Sequence, residues 1–212
     1  MAARPTRLTD IDSSLRFHKM YRMDTLVEQA LADGDDDSVR AILAQVCALT
    51  DMGFAALARV TENRWITCQV LDKIEFGLTP GGELEVQTTI CNEIRQHGRA
   101  VIFDDATINP DWRTHPVPIL YGFKSYASFP IFLSDGRFYG TLCAIDPARR
   151  RVTNEDVVAT LQAYAAQIGR LISARHGDGE VQKNAAPASS TRQTKRADSA
   201  ANSQIIQARQ TS

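Results

Sequence analysis

The chain has 212 residues, 43% of them hydrophobic, and its 24 basic and 25 acidic side chains leave a net charge of −1. This length suits one domain of ordinary size with extensions, and the balanced charge excludes a strong field for attracting nucleic acid or an anionic membrane. No apolar run approaches the roughly 20 residues that span a bilayer, and the basic N-terminus lacks the apolar segment of a secretory signal. We therefore expect a cytoplasmic protein with neither a nucleic-acid nor a membrane partner.

The first two predicted elements are helices. One is capped by Ser13 or Ser14 and ended by Gly34, and it carries a loose apolar stripe. The other follows the acidic residues 35–37, has the clearest helical spacing in the chain and ends near Gly53. Residues 1–34 are thus predicted as an extension with a helix, whose apolar stripe a second copy of the chain would cover.

A hairpin, a helix and a long loop follow along the chain. Residues 54–60 and 64–71 have strand composition and flank a short turn. A helix then ends at Gly98, and a short strand at 100–103 leads into residues 104–116, where polar and aromatic side chains are dense. A long loop of this composition on a sheet is a candidate binding loop.

The segment 123–147 predicts a central hairpin, because two apolar strands flank the turn residues 134–137. Thr153 is predicted to cap the last helix, which reaches residue 174 or further. Residues 177–212 contain few large apolar side chains and are predicted as a disordered tail or linker.

Two stretches resemble the GAF domain, a small-ligand module of signalling proteins. They are SYASFPIFLSDGRFYGTLCAID at 125–146 and ICNEIRQHGRAVIFDDATINPDW at 90–112. The chain is most similar to the GAF sensor modules of bacterial signal-transduction proteins of the sensor histidine kinase type. The resemblance implies an α+β fold over 35–176, with a central antiparallel sheet, helices packed on one face, and a ligand pocket under loops on the other face.

The pocket is expected under a roof formed by residues 109–121. Strand alternation would place Tyr126 and Ser128 on the pocket face of the central hairpin. The aromatic candidates could equally be core residues, and the acidic loop residues are more simply explained by Asx turns than by a metal site. The predicted ligand-binding residues are Asp105, Trp112, His115, Tyr121, Tyr126 and Ser128.

The resemblance leaves the cofactor unknown, but the sequence excludes a covalently attached bilin at one position. In phytochromes, the corresponding region holds a bilin-contacting His and, in some members, the linking Cys. Residues 109–128 hold His115 but no Cys, so a covalent bilin at this position is excluded. The four cysteines stand singly, without metal-site or redox-motif spacing, and are predicted to be inert. No catalytic residue and no metal ligand are predicted.

These observations predict a sensory or regulatory domain rather than an enzyme. It would bind a small molecule and pass the signal through dimerising terminal helices to a histidine kinase or another output domain of a two-component system. A ligandless dimerisation module is the main alternative. An enzyme similar to free methionine sulfoxide reductase is the weaker one, because the cysteine-bearing loop with acidic neighbours that is typical of that subfamily is absent.

Overall fold

The structure, a computed structural model, describes residues 24–184, with side chains through Gly177. A six-stranded antiparallel sheet in the order β3-β2-β1-β6-β5-β4 forms its centre. The strands are β1 (Phe54–Val60), β2 (Trp65–Asp72), β3 (Glu83–Leu84), β4 (Val101–Phe103), β5 (Ser125–Phe132) and β6 (Phe138–Asp146). The α-helices are α1 (Thr25–Gly34), α2 (Asp37–Thr50), α3 (Ile90–His97), α4 (Pro116–Tyr121) and α5 (Glu155–Asn184). The predicted α+β fold is confirmed.

Successive side chains of each strand point alternately to the two faces of the sheet, and both faces are buried. On the helix face, α1, α2 and α5 cover a core that includes Leu57, Ala127 and Phe129. On the opposite face, α3 and α4 cover a second core that includes Ala56 and Tyr126. The long helices therefore lie on one face as expected, while two short helices as well as loops cover the pocket face.

The helix α1 packs against the domain rather than projecting from it. It begins at Thr25, where the Asp24 carboxylate accepts a hydrogen bond from Leu26 N at 3.1 Å, and the predicted caps at Ser13 and Ser14 lie outside the described residues. At its end, a Cβ on Gly34 would lie 2.1 Å from the Cys68 carbonyl oxygen. Leu26 and Val27 of α1 pack against the helix-face core of the same chain.

The last helix begins one residue later than predicted and extends beyond residue 174, as predicted. Asn154 caps α5, since its side-chain oxygen accepts from Asp156 N at 2.9 Å. The predicted cap, Thr153, instead donates to the Asp104 carboxylate through its N–H and its hydroxyl. The helix continues to Asn184, so residues 177–184 of the predicted tail are helical and the rest lie outside the described part. Among the described helices, none has the length and apolar character needed to cross a bilayer.

Candidate ligand cavity

A small apolar cavity lies between the pocket face of the sheet and the helices α3 and α4. We call it the inner cavity; its volume is about 50 Å³. The aromatic side chains around it are Phe54, Trp65, Phe76, Tyr121, Phe123 and Tyr126. Two cysteines also line it, Cys91 of α3 and Cys143 of β6, which are 4% and 5% exposed. Such walls favour an apolar guest of a few non-hydrogen atoms.

A wider space adjoins the inner cavity on its outer side. This outer cleft has a volume of about 470 Å³ and lies between residues 74–78 and 120–123. Phe76 and Tyr121 border both spaces, and their ring centroids are 6.0 Å apart. The two rings therefore form part of the partition between the outer cleft and the inner cavity.

The carboxylate of Asp72 holds the loop that carries Phe76. It accepts hydrogen bonds from the backbone N–H groups of Ile74 and Phe76, each at 3.1 Å, and of Gly77 at 2.9 Å. Burial opposes ionisation of this group, but the backbone donors outweigh it and lower the pKa of Asp72. The loop is thus fixed by an ionised carboxylate at neutral pH.

Hydrogen-bond donors converge on the sulfur of Cys91. Thr141 Oγ1 donates to Cys91 Sγ at 3.2 Å, and the Tyr126 hydroxyl lies 3.5 Å from it. Donation from Cys143, Thr141 and Tyr126 favours the thiolate and lowers the pKa of Cys91, against the opposing effect of burial. The interaction with Cys91 and burial both raise the pKa of Cys143. The two thiols are therefore unequal in acidity.

The indole N–H of Trp65 also belongs to this site. Trp65 is 2% exposed, and among the described residues its Nε1 has no partner within hydrogen-bond geometry. It lies near enough to Cys91 to favour a thiolate there. A buried donor without a partner costs free energy unless a guest or a water accepts from it. The inner cavity thus offers one donor to a hydrogen-bond acceptor.

Three of the six predicted site residues lie at or beside the inner cavity. Tyr121 and Tyr126 line it, and the Tyr121 hydroxyl lies 2.7 Å from Thr88 Oγ1. Ser128 lies on the same face as Tyr126, as alternation predicted, but it is fully buried behind Cys91, with 4.0 Å between Ser128 Oγ and Cys91 Sγ.

The other three predicted residues do not line the inner cavity. The Trp112 ring stacks on Phe103 of β4 at 5.0 Å, and the Asp105 carboxylate accepts from Thr107 in an Asx turn. His115 caps α4 by accepting from Val117 N at 3.3 Å, and its Nε2 lies 3.1 Å from a Glu93 carboxylate oxygen.

These positions correct the predicted roof. Residues 104–115 fold over the β4 edge of the sheet, because the ring of Phe103 in β4 offers a stacking surface for the indole of Trp112. Only α4, at the end of the proposed segment, reaches the inner cavity, through Val117 and Tyr121. The rest of the cover comes from α3, through Ile90 and Cys91, and from the loop after β2, through Phe76 and Leu78.

Two residues of the inner cavity that were not predicted as site residues, Cys143 and Cys91, could have been placed from the sequence pattern. Cys143 stands two positions before Ile145, which pairs with Tyr126 across the central hairpin, so alternation puts Cys143 on the pocket face. Cys91 belongs to the apolar side of α3 with Ile90 and Ile94. No local pattern placed Trp65 or Phe76 in the same site, because they approach it from a different hairpin and loop.

The architecture defines a class of proteins in which one sheet separates long terminal helices from a small cavity. The family model described as GAF domain matches residues 36–172, and the chain belongs to the GAF domain family. A search of curated proteins found no significant match.

Solved structures share the fold at low sequence identity. The PixJ GAF domain of Thermosynechococcus elongatus, in its blue-light absorbing form, has a TM-score of 0.57 at 12% identity, covering 78% of this chain and 96% of that one. The GAF domain of a two-component sensor histidine kinase from Bacillus halodurans has a TM-score of 0.54 at 12% identity, covering 68% and 97%. A type II free methionine-R-sulfoxide reductase from Thermoplasma acidophilum has a TM-score of 0.50 at 14% identity, covering 69% and 94%.

Proposed function

We propose that this chain is a sensory GAF domain that binds a small, largely apolar molecule with one hydrogen-bond acceptor. The proposal is supported by the inner cavity, which is apolar, adjoins an outer cleft and is lined by Trp65, whose buried N–H has no partner among the described residues. An acceptor on the ligand would satisfy this donor, and the aromatic walls would supply apolar contact. A guest larger than a few atoms would extend past Phe76 and Tyr121 into the outer cleft.

The signal would pass from the sheet to the terminal helices. Tyr139 of β6 donates to the buried carboxylate of Asp33 at the end of α1, at 2.8 Å. His176 of α5 lies 3.0 Å from the same carboxylate, and Arg175 donates to the Asp33 carbonyl oxygen at 2.8 Å. Asp33 thus joins both terminal helices to β6, the strand that carries Cys143 on the cavity side. A ligand that shifts β6 would change the packing of α1 against α5.

The setting of this function is the cytoplasm, and the output is a histidine kinase or another effector domain of a two-component system. The B. halodurans neighbour supports this setting, because it is the GAF domain of such a kinase. Homodimerisation through the terminal helices would place the outputs of two chains side by side.

Ligand binding can be tested with small planar carbonyl compounds, with benzaldehyde as the first probe, by following the thermal unfolding of the full chain. A ligand at about 100 times its Kd adds roughly 2.7 kcal/mol to the free energy of unfolding, which raises the melting temperature by several degrees. Tyr126→Ala should abolish the rise. Trp112→Ala is the matched control and should keep it, since Trp112 does not line the inner cavity.

The ligandless dimerisation module remains the second candidate, and the small volume of the inner cavity, about 50 Å³, favours it. It becomes the better description if no probe shifts the melting temperature and denaturation of the purified protein releases no small molecule. If both variants keep the full ligand-induced shift, the ligand binds elsewhere.

We further propose that the domain acts by binding rather than by turnover. The reductase among the structural neighbours suggests an assay that could contradict this proposal. Free methionine sulfoxide is supplied together with a thiol reductant, and the release of methionine is measured. We expect no release above the rate without protein; sustained release would establish the enzyme alternative.

A further inference from the structure

Two thiols approach each other at the inner cavity. Cys91 Sγ lies 4.0 Å from Ser128 Oγ, and Ser128 stands directly opposite Cys143 in the β5–β6 ladder, where paired Cα atoms are about 4.5–5.5 Å apart. Cys91 also accepts from Thr141, two positions before Cys143 on the same face. Both cysteines line the inner cavity, and both are free thiols.

The other two cysteines have different surroundings. Cys47 and Cys68 lie in the core of the helix face. Burial raises the pKa of both thiols, that of Cys68 to about 12, so they are protonated at neutral pH. Neither lines the inner cavity.

A second, independent feature points to an oxygen-containing guest beside the thiol pair. The Nε1 of Trp65 is buried and has no partner among the described residues, and the Trp65 ring borders the same cavity as Cys91. Its N–H can donate to a small acceptor held against the sulfur. A volume of about 50 Å³ accommodates a molecule with a few heavy atoms, since one water needs about 10–15 Å³ on this measure.

We propose that Cys91 and Cys143 form a redox-active dithiol that a small hydroperoxide converts into an intramolecular disulfide. The Cys91 thiolate attacks the terminal oxygen of the hydroperoxide, so that an S–O bond forms while the O–O bond breaks. The departing alkoxide takes up the proton that Cys91 released and leaves as an alcohol, while the N–H of Trp65 stabilises the developing negative charge.

The second step closes the disulfide. The Cys143 sulfur attacks the Cys91 sulfenic acid, the S–S bond forms, and the hydroxyl group leaves with the Cys143 proton as water. In sum, two thiols and one hydroperoxide give one disulfide, one alcohol and one water. A dithiol reductant then converts the disulfide back into two thiols.

The disulfide would tie α3 to β6. Because β6 also carries Tyr139, which donates to Asp33 on the helix face, the bond forms on the strand that reaches both terminal helices. The proposal does not require the ligand of the proposed function: thiol oxidation and ligand binding are measured separately, and either can fail alone.

The test exposes the reduced full-length chain to tert-butyl hydroperoxide at neutral pH and counts free thiols after denaturation. We expect two of the four thiols to disappear, peptide mass spectrometry to find the Cys91–Cys143 link, and dithiothreitol to restore both. Cys143→Ser should stop at a Cys91 sulfenic acid that dimedone traps. Cys91→Ser should slow thiol loss at least about tenfold, with Cys91→Ala as a substitute if the serine variant does not fold.

Two further variants separate a specific site from general oxidation. Cys47→Ser is the matched control and should leave the rate and the link unchanged. Trp65→Phe keeps an aromatic ring but removes the donor, and it should slow the first step about tenfold, the worth of one hydrogen bond.

Several outcomes would overturn the proposal. These are a link that involves Cys47 or Cys68, equal rates of oxidation in wild type and Cys91→Ser, or a link that forms only after denaturation. Reaction with free methionine sulfoxide as fast as with the hydroperoxide would also overturn it, because the oxidant class would then be different.

Discussion

At the scale of single residues, the buried thiols of Cys68 and Cys91, on opposite sides of the sheet, have opposite pKa shifts. Burial raises the pKa of Cys68 to about 12, and the neighbouring Tyr139 hydroxyl at 3.5 Å only partly offsets this effect. On the other face, converging donors lower the pKa of Cys91. The acidity of a buried thiol in this domain is therefore set by the donors around its sulfur and not by burial alone.

This difference predicts how stability depends on pH. An unfolded thiol ionises near pH 8.5, whereas folded Cys68 keeps its proton to about pH 12. Between these values the unfolded chain binds fewer protons, so the free energy of unfolding falls as pH rises, by up to about 1.4 kcal/mol per pH unit for this group. Cys68→Ala should reduce the fall by that amount, as measured by urea denaturation between pH 7 and 10.5.

Cys91→Ala is the control for this prediction. Because the pKa of Cys91 is lowered, its own contribution to stability is already complete above the unfolded pKa. Its removal should change the slope above pH 9 only through Cys143, whose pKa both Cys91 and burial raise, and therefore by less than Cys68→Ala does. Parallel slopes for wild type and Cys68→Ala would show that Cys68 is not protected in the folded state.

A second prediction concerns the buried carboxylate of Asp33, which is 4% exposed. Tyr139→Phe removes the hydroxyl that donates to it at 2.8 Å and leaves a buried acceptor with one partner fewer. We expect a loss of about 1–3 kcal/mol in the free energy of unfolding. Tyr121→Phe removes a more accessible hydroxyl, bonded to Thr88, and should cost less than about 1 kcal/mol. Equal losses would contradict the role given to Asp33.

At the scale of elements, the position of α5 depends on its close contact with β5. A Cβ on Gly169 would lie 2.2 Å from the Phe132 carbonyl oxygen, so only glycine permits this approach. Leu161, Ala165, Ile168 and Ile172 of α5 are buried by it. From this contact the helix continues to Asn184.

Gly169→Ala should therefore push α5 away from the sheet and lower the free energy of unfolding by about 2 kcal/mol, as overpacking does. At Gly177, in the same helix, a Cβ would meet no atom within 4 Å. Gly177→Ala should stabilise the protein by roughly 0.5–1 kcal/mol through helix propensity. Thermal and urea unfolding of both variants measure the difference, and a neutral Gly169→Ala would show that α5 is not held at this point.

At the scale of the whole molecule, α5 is longer than the sheet it covers. Its 30 residues extend for about 45 Å, whereas β6, with nine residues, spans about 30 Å. The helix is therefore longer than this strand. A helix with residues beyond those that its own sheet can cover is suited to pairing with a second copy.

We expect light scattering of the full chain at micromolar concentration to give twice the 23.4 kDa of one chain. Leu31→Asp, on α1, should weaken the dimer with little effect on folding, because Leu31 is 37% exposed. Leu120→Asp is the matched control on the opposite face, where Leu120 is 62% exposed, and it should leave the dimer intact. A monomeric wild-type chain would refute the dimer.

The sequence by itself determined the two hairpins and the alternation of their side chains, but not β3 or α4. The hairpins of 54–72 and 125–146, the turn at 134–137 and the placement of Tyr126 and Ser128 on one face all follow from local composition and the two-residue period of a strand. These features depend on neighbours along the chain, and tertiary packing did not change them.

Only the tertiary structure decided which residues surround the cavity. Irregular segments have no period, so the direction of the side chains in residues 104–115 depends on their tertiary contacts. Trp112 stacks on Phe103 outside the inner cavity. Phe76, from the loop after β2, lines the cavity in its place. The meeting of Cys91 with Cys143 likewise depends on how α3 docks on the sheet. A docking angle is set by contacts between elements distant in sequence, and no local pattern encodes it.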